Sequence, residues 1–133
     1  MPIPTTILVV DDLPLVRQTL RSLLAGQSHW KVFEAENGKV ALDRIRELNP
    51  DVVVMDIVMP EMNGIDAAYE IHHLALGTKV ILVSSHYTPQ EADILAHMFA
   101  DGSFIQKSEV DKGLIPAINR LLSGERRARK AKT

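Results

Sequence analysis

Asp51-Val52-Val53-Val54-Met55-Asp56 decides the fold, because an apolar run ends there on a reactive carboxylate. The same arrangement recurs along the chain. Ile7-Leu8-Val9-Val10 leads into Asp11-Asp12, Val80-Ile81-Leu82-Val83 into Ser84-Ser85, and Phe104-Ile105-Gln106 into Lys107. Short apolar runs bounded by turn signals read as buried strands, and the stretches between them carry helical periodicity. Alternating strands and helices imply right-handed crossovers and a parallel sheet. All strands then point one way, their carboxyl ends share an edge, and that edge binds ligands in open α/β folds. The expectation is a pocket holding Asp11, Asp12, Asp56, Lys107 and one or both of Ser84 and Ser85.

Working outward, we expect strands at 6–10, 31–36, 52–56, 79–84 and 103–106. Helices are expected at 14–25, 38–48, 64–76, 89–99 and 111–123. Leu15, Leu20, Leu23 and Leu24 give the first helix an apolar stripe, as Val40, Ala41, Ile45 and Leu48 do the second. Asn49-Pro50 should stop the second helix, since the residue before proline is pushed out of the α region. Pro89 suits a first helical turn. Pro116 would cost a ladder bond inside the last helix, so regular helix is expected to begin nearer Ile115. Five β/α units in this length fit an α/β, doubly wound, flavodoxin-like, five-stranded parallel sheet of order 2-1-3-4-5.

The chain has 133 residues, 46% hydrophobic and 24% charged, which suits one soluble globular domain. Cysteine is absent, which excludes disulfides and thiolate chemistry. With no leader-like N-terminus and no apolar run long enough to span a bilayer, a cytoplasmic protein without a membrane partner is expected. The net charge of −2 is unevenly spread. Arg126, Arg127, Arg129, Lys130 and Lys132 crowd the end, so residues 1–125 carry 10 basic against 17 acidic side chains. An acidic body disfavours direct DNA binding, which needs a basic face. The terminal basic run reads most simply as a solvated tail.

Asp11, Asp12 and Asp56 would stand within a few ångströms of one another and repel unless a cation compensates them. An oxygen-only donor set suits Mg²⁺, which takes carboxylates and a phosphate oxygen. With the cation in place, one carboxylate can attack phosphorus and form an aspartyl phosphate. Asp56 is the candidate nucleophile, since it ends the central strand alone. Lys107 would give the phosphoryl oxygens a fixed positive charge, and Ser84 a hydroxyl donor. Taken singly, Asp12 reads as a helix N-cap. His72 and His73, as neighbours on a helix, do not face one another and make no metal pair. Asp51, Glu61 and Asp66 fit surface or capping roles.

Together with Glu34-Ala35-Glu36-Asn37-Gly38, Ile57-Val58-Met59-Pro60 and Gly64, Ser84-Ser85-His86 and Ala100-Asp101-Gly102-Ser103-Phe104-Ile105-Gln106-Lys107, these segments resemble the receiver domains of bacterial response regulators. The resemblance covers residues 5 to about 124, which makes 1–124 a receiver domain and 125–133 a basic C-terminal tail. It is nearest to receivers that precede a helix-turn-helix, although no such output domain is expected within this sequence. The resemblance implies that Asp56 is the phosphoacceptor. Asp11, Asp12 and Asp56 would hold Mg²⁺ with the backbone carbonyl of Val58. Ser84 would be the switch hydroxyl, Phe104 the switch aromatic and Lys107 the cationic partner of the phosphate. Three positions depart from the family pattern: Ser108 replaces a common proline, Phe99 a frequent glycine, and Phe104 the commoner tyrosine.

The implied function is a phosphoacceptor switch of a two-component system rather than an enzyme. A sensor histidine kinase or phosphotransfer protein would supply the phosphoryl group. An unidentified output partner would read the face of the fourth helix, fifth strand and fifth helix, and a homodimer is left open. A Mg²⁺ phosphohydrolase of the haloacid dehalogenase type fits less well, since its first strand carries Asp-x-Asp rather than Asp11-Asp12. A phosphorylation-independent scaffold is opposed by the complete acidic pocket. A flavodoxin is opposed by Asp11-Asp12-Leu13-Pro14, where a phosphate-binding loop of hydroxyls and glycines would be needed.

Overall fold

In a computed structural model, residues 4–57, 59, 64–74, 77–84, 90 and 103–131 are described. Five strands form one parallel sheet: β1 (Thr5–Val10), β2 (Trp30–Ala35), β3 (Val52–Asp56), β4 (Lys79–Ser84) and β5 (Ser103–Gln106). Their order is β2-β1-β3-β4-β5, the expected doubly wound arrangement. The helices α1 (Pro14–Ala25), α2 (Gly38–Leu48) and α3 (Gly64–Leu74) precede a C-terminal helix at Val110–Ala131, which follows a 3₁₀ turn at Lys107–Glu109. Of the expected helix at 89–99 only residue 90 is described, and it is helical; the rest lies outside the described residues.

The period of two along a strand sorts the apolar runs onto two faces. Leu8, Val10, Val53, Met55, Val80 and Leu82 pack with Ala41 and Ile45 of α2 and Ala67 and Ile71 of α3. Ile7, Val9, Val52, Val54, Ile81 and Val83 pack with Leu20 and Leu24 of α1 and Leu114 and Ile118 of the C-terminal helix. Both faces are covered, which is why these strands read as continuous apolar runs and not as alternating ones.

Local signals set the helix ends. Asn37 Oδ1 accepts the Val40 N–H at 2.8 Å and caps α2. Asn49 closes α2 in the left-handed region, with φ 46°, so the stop is a left-handed cap immediately before Pro50. The stripe of α1 differs from expectation: Leu20 and Leu24 are buried, but Leu15 is 76% exposed. Val16, Leu20 and Leu24 repeat every four residues on the core side, and Leu15 points away from all three, rotated by about 100° from Val16 and further from the others.

The last helix also corrects the reading at both ends. It begins at Val110, ahead of Ile115, and runs unbroken through Pro116. Pro116 and Lys112 are both exposed, so the carbonyl that loses its helix partner stands on the solvent side, where water can replace the bond. The helix continues past 123 to Ala131 because Glu125 to Ala131 are strong helix formers. Among the described residues no helix is long and apolar enough to cross a membrane.

Candidate functional site at the carboxyl edge of the sheet

The β1–β3 register builds the centre of the site. Ile7 pairs with Val52 and Val10 with Met55, so the next residues, Asp11 and Asp56, stand level with one another at the carboxyl edge. Both continue the row of Val9 and Val54, on the face covered by α1 and the C-terminal helix. Asp12 follows directly. One carboxylate oxygen from each of Asp11, Asp12 and Asp56 lies within 4.8 Å of the others. Asp11 and Asp56 are 1% and 5% exposed, so their charges stand largely out of water and require compensation.

Lys107 supplies part of that compensation from the end of β5. Its Nζ lies 3.4 Å from Asp11 Oδ2 and 3.3 Å from Asp56 Oδ2. These contacts are long for charge-assisted hydrogen bonds, which favour about 2.7–2.9 Å, so the ammonium bridges two carboxylates without closing tightly on either. Three carboxylates facing one ammonium form an oxygen-only, net negative site of the kind that holds a hard divalent cation.

The turn carrying Asp11 and Asp12 is anchored on every side. The Asp11 N–H donates to the Ala35 carbonyl at 3.2 Å, extending the β1–β2 ladder by one residue. Asp11 Oδ1 accepts the Leu13 N–H at 2.9 Å. Arg17 Nη1 donates to the Asp11 carbonyl at 2.8 Å, while Arg17 Nε meets Glu34 Oε1 at 3.1 Å. The capping role considered for Asp12 is not filled: the N-cap of α1 is Leu13, with no side-chain cap, and Pro14 opens the helix. Its missing N–H removes one of the donors a cap would serve.

Of the predicted site residues, Asp11, Asp12, Asp56 and Lys107 therefore come together. The backbone of Ser84 ends β4, paired with Gln106. Phe104 pairs with Leu82 and packs, half-buried, against the core on the α2–α3 face, opposite the face that Asp56 continues. Val58, Ser85 and His86 lie outside the described residues. Arg17 and Glu34 were missed from the sequence. Their contact spans separate elements, and the only hint was a basic residue on α1 facing an acidic one in a strand otherwise half apolar.

A family model of the response regulator receiver domain matches residues 7–119. The chemotaxis protein CheY of Thermotoga maritima is 35% identical over 116 residues, covering 86% of this chain and 95% of that protein. The response regulator domain of Thermotoga maritima CheB superposes with a TM-score of 0.81 at 32% identity, over 90% of this chain and 97% of that one. A two-component response regulator of the LuxR family from an Aurantimonas species gives a TM-score of 0.82 at 30% identity, over 91% and 86%. The family model spans most of the chain and the relatives share its sequence and its shape, so the chain belongs to the response regulator receiver domains.

Proposed function

We propose that this chain is a phosphoacceptor switch that takes a phosphoryl group on Asp56. The observation that carries the reading is the meeting of Asp11, Asp12 and Asp56 within 4.8 Å, with Lys107 Nζ 3.3 Å from the Asp56 carboxylate. Asp11, Asp12 and Asp56, with the Val58 carbonyl, would hold Mg²⁺, which supplies charge compensation for the phosphoryl oxygens. An Asp56 oxygen attacks phosphorus, the bond to the donor's leaving group breaks, and an acyl phosphate forms. Lys107, which bridges Asp11 and Asp56, would turn toward the new phosphoryl oxygens. The donor is a sensor histidine kinase or a phosphotransfer protein.

The signal leaves through β4 and β5. A phosphate on Asp56 offers the Ser84 hydroxyl a charge-assisted hydrogen bond. Phe104 is the bulky group on the neighbouring strand able to fill the space this vacates, and its ring, half-buried at present, has surface left to bury. Full burial contributes up to about 2 kcal/mol, enough to shift a two-state balance more than tenfold. The surface of residues 89–120 then presents a changed face to an output partner or a second copy, and the acidic receiver body does not bind DNA directly.

A small-molecule phosphodonor with Mg²⁺ should add one acid-stable, base-labile phosphoryl group to the wild type and none to Asp56→Asn, read by mass spectrometry. Equal labelling of the two proteins would refute the assignment.

A further inference from the structure

The peptide joining Asp11 to Asp12 determines where the Asp12 carboxylate points, and Arg17 holds that peptide. Arg17 Nη1 donates to its carbonyl oxygen at 2.8 Å. The guanidinium is itself fixed from the other side, with Nε 3.1 Å from Glu34 Oε1 on β2. Glu34 also receives Arg21 Nη1 on Oε2 at 2.8 Å. The Arg17 and Glu34 side chains are 18% and 23% exposed, so the pair is mostly shielded and its geometry constrained. Asp12 has no such tether through α1, which takes no side-chain cap.

We propose that Arg17 is a positioning residue for the cation site. Through the Asp11 carbonyl it sets the direction of Asp12 before any ion arrives. Glu34 orients the guanidinium and cancels a positive charge that would otherwise repel a cation from the neighbouring carboxylates. Groups that orient metal ligands typically carry about ten- to a hundredfold in metal affinity. The inference rests on the proposed Mg²⁺ site but concerns residues outside it.

Mg²⁺ titration followed by backbone-amide NMR on the full chain tests it. Arg17→Ala should bind Mg²⁺ about tenfold more weakly, and its Asp12 and Leu13 amide signals should already differ from wild type without Mg²⁺. Arg17→Lys, which can reach the carbonyl or Glu34 but not both, should lose less and guards against a variant that fails to fold. Arg21→Ala, which leaves the Asp11 carbonyl untouched, should bind like wild type. A Lys or Ala variant with lower thermal stability but wild-type affinity would overturn the proposal. So would an equal loss in Arg21→Ala, which would trace the effect to disturbance of Glu34, the partner the two arginines share, and not to the Asp11 carbonyl. If Asp12→Ala also binds Mg²⁺ normally, the cation site itself is wrong and the inference falls with it. Lost affinity in Asp12→Ala beside normal affinity in Arg17→Ala overturns the inference alone.

Discussion

Strand β3 begins after Asp51 and ends with Asp56, and the two aspartates lead opposite lives. At the amino edge, Asp51 Oδ2 accepts the Thr6 N–H at 2.9 Å, its N–H donates to the Thr6 carbonyl at 2.8 Å, and its carbonyl accepts the Lys79 N–H at 3.0 Å. Thr78 Oγ1 donates to the Pro50 carbonyl beside it at 2.7 Å. The polar groups there are spent on one another, tying β1, β3 and β4 together. At the carboxyl edge, Asp56 shares its surroundings with two more carboxylates and one ammonium. Side chains and sequence neighbours are much alike at the two ends. Position along a parallel strand separates them: one edge gathers strand starts and closes on itself, the other gathers charge for something to be bound.

The comparison breaks most visibly at Asp12. Asp12→Ala should lose at least roughly a hundredfold in Mg²⁺ affinity, about 2.7 kcal/mol, since a ligand goes and not merely its support. Apo stability should hold or rise, because a like charge has been taken from the cluster. Thermal melts with and without Mg²⁺ read both halves. The ion at ten times its Kd stabilises wild type by about 1.4 kcal/mol, roughly 5 °C for a domain of this size, and that shift should vanish. A preserved shift would leave Asp12 with no part in binding the ion.

Lys107 sharpens the contrast with the opposite sign. Its ammonium bridges Asp11 and Asp56, and its side chain is 23% exposed. Lys107→Met keeps the apolar stem but strands two buried carboxylates, so apo stability should fall by about 1–2 kcal/mol after allowance for solvent screening. Mg²⁺ should then bind more tightly, as it becomes the chief compensation. Denaturant melts beside a Mg²⁺ titration check this. Weaker Mg²⁺ binding would mean that Lys107 shapes the site and does not compete for it.

Much of the fold was legible because apolar runs such as Ile7–Val10 and Val52–Met55 are too short for helices and too continuous for half-exposed strands. The site was legible for the same reason, since runs ending in Asp11, Asp56 and Lys107 share an edge once the sheet is parallel. What escaped needed three dimensions. Leu15 looked like core until the helical phase was set by Val16, Leu20 and Leu24. Pro116 looked like a helix start because its lost bond cannot be known from sequence to face water. Arg17 and Glu34 meet across 17 residues and two elements, which no periodicity encodes. Asp51 was read as an ordinary surface or capping residue, and its grip on Thr6 spans 45 residues.

Asp51 gives the smallest effect and the cleanest separation of the two edges. Asp51→Ala removes the acceptor for the Thr6 N–H, a partly buried bond 2.9 Å long, while the backbone bonds to Thr6 and Lys79 remain. A lost hydrogen bond to a charged acceptor, with the donor left short of a partner, costs about 1–2 kcal/mol; partial access of water at Thr6 places this one near the lower figure. Asp51→Asn keeps an acceptor oxygen in the same place and should recover part of the loss, because only the charge assistance has gone. Neither variant should alter Mg²⁺ affinity or labelling at Asp56, since β3 lies between the two carboxylates and is packed on both faces. Denaturant melts and a Mg²⁺ titration on the same samples decide the point. If Asp51→Ala weakens Mg²⁺ binding as far as Asp12→Ala does, the strand transmits strain along its length, and the two edges cannot be treated as independent.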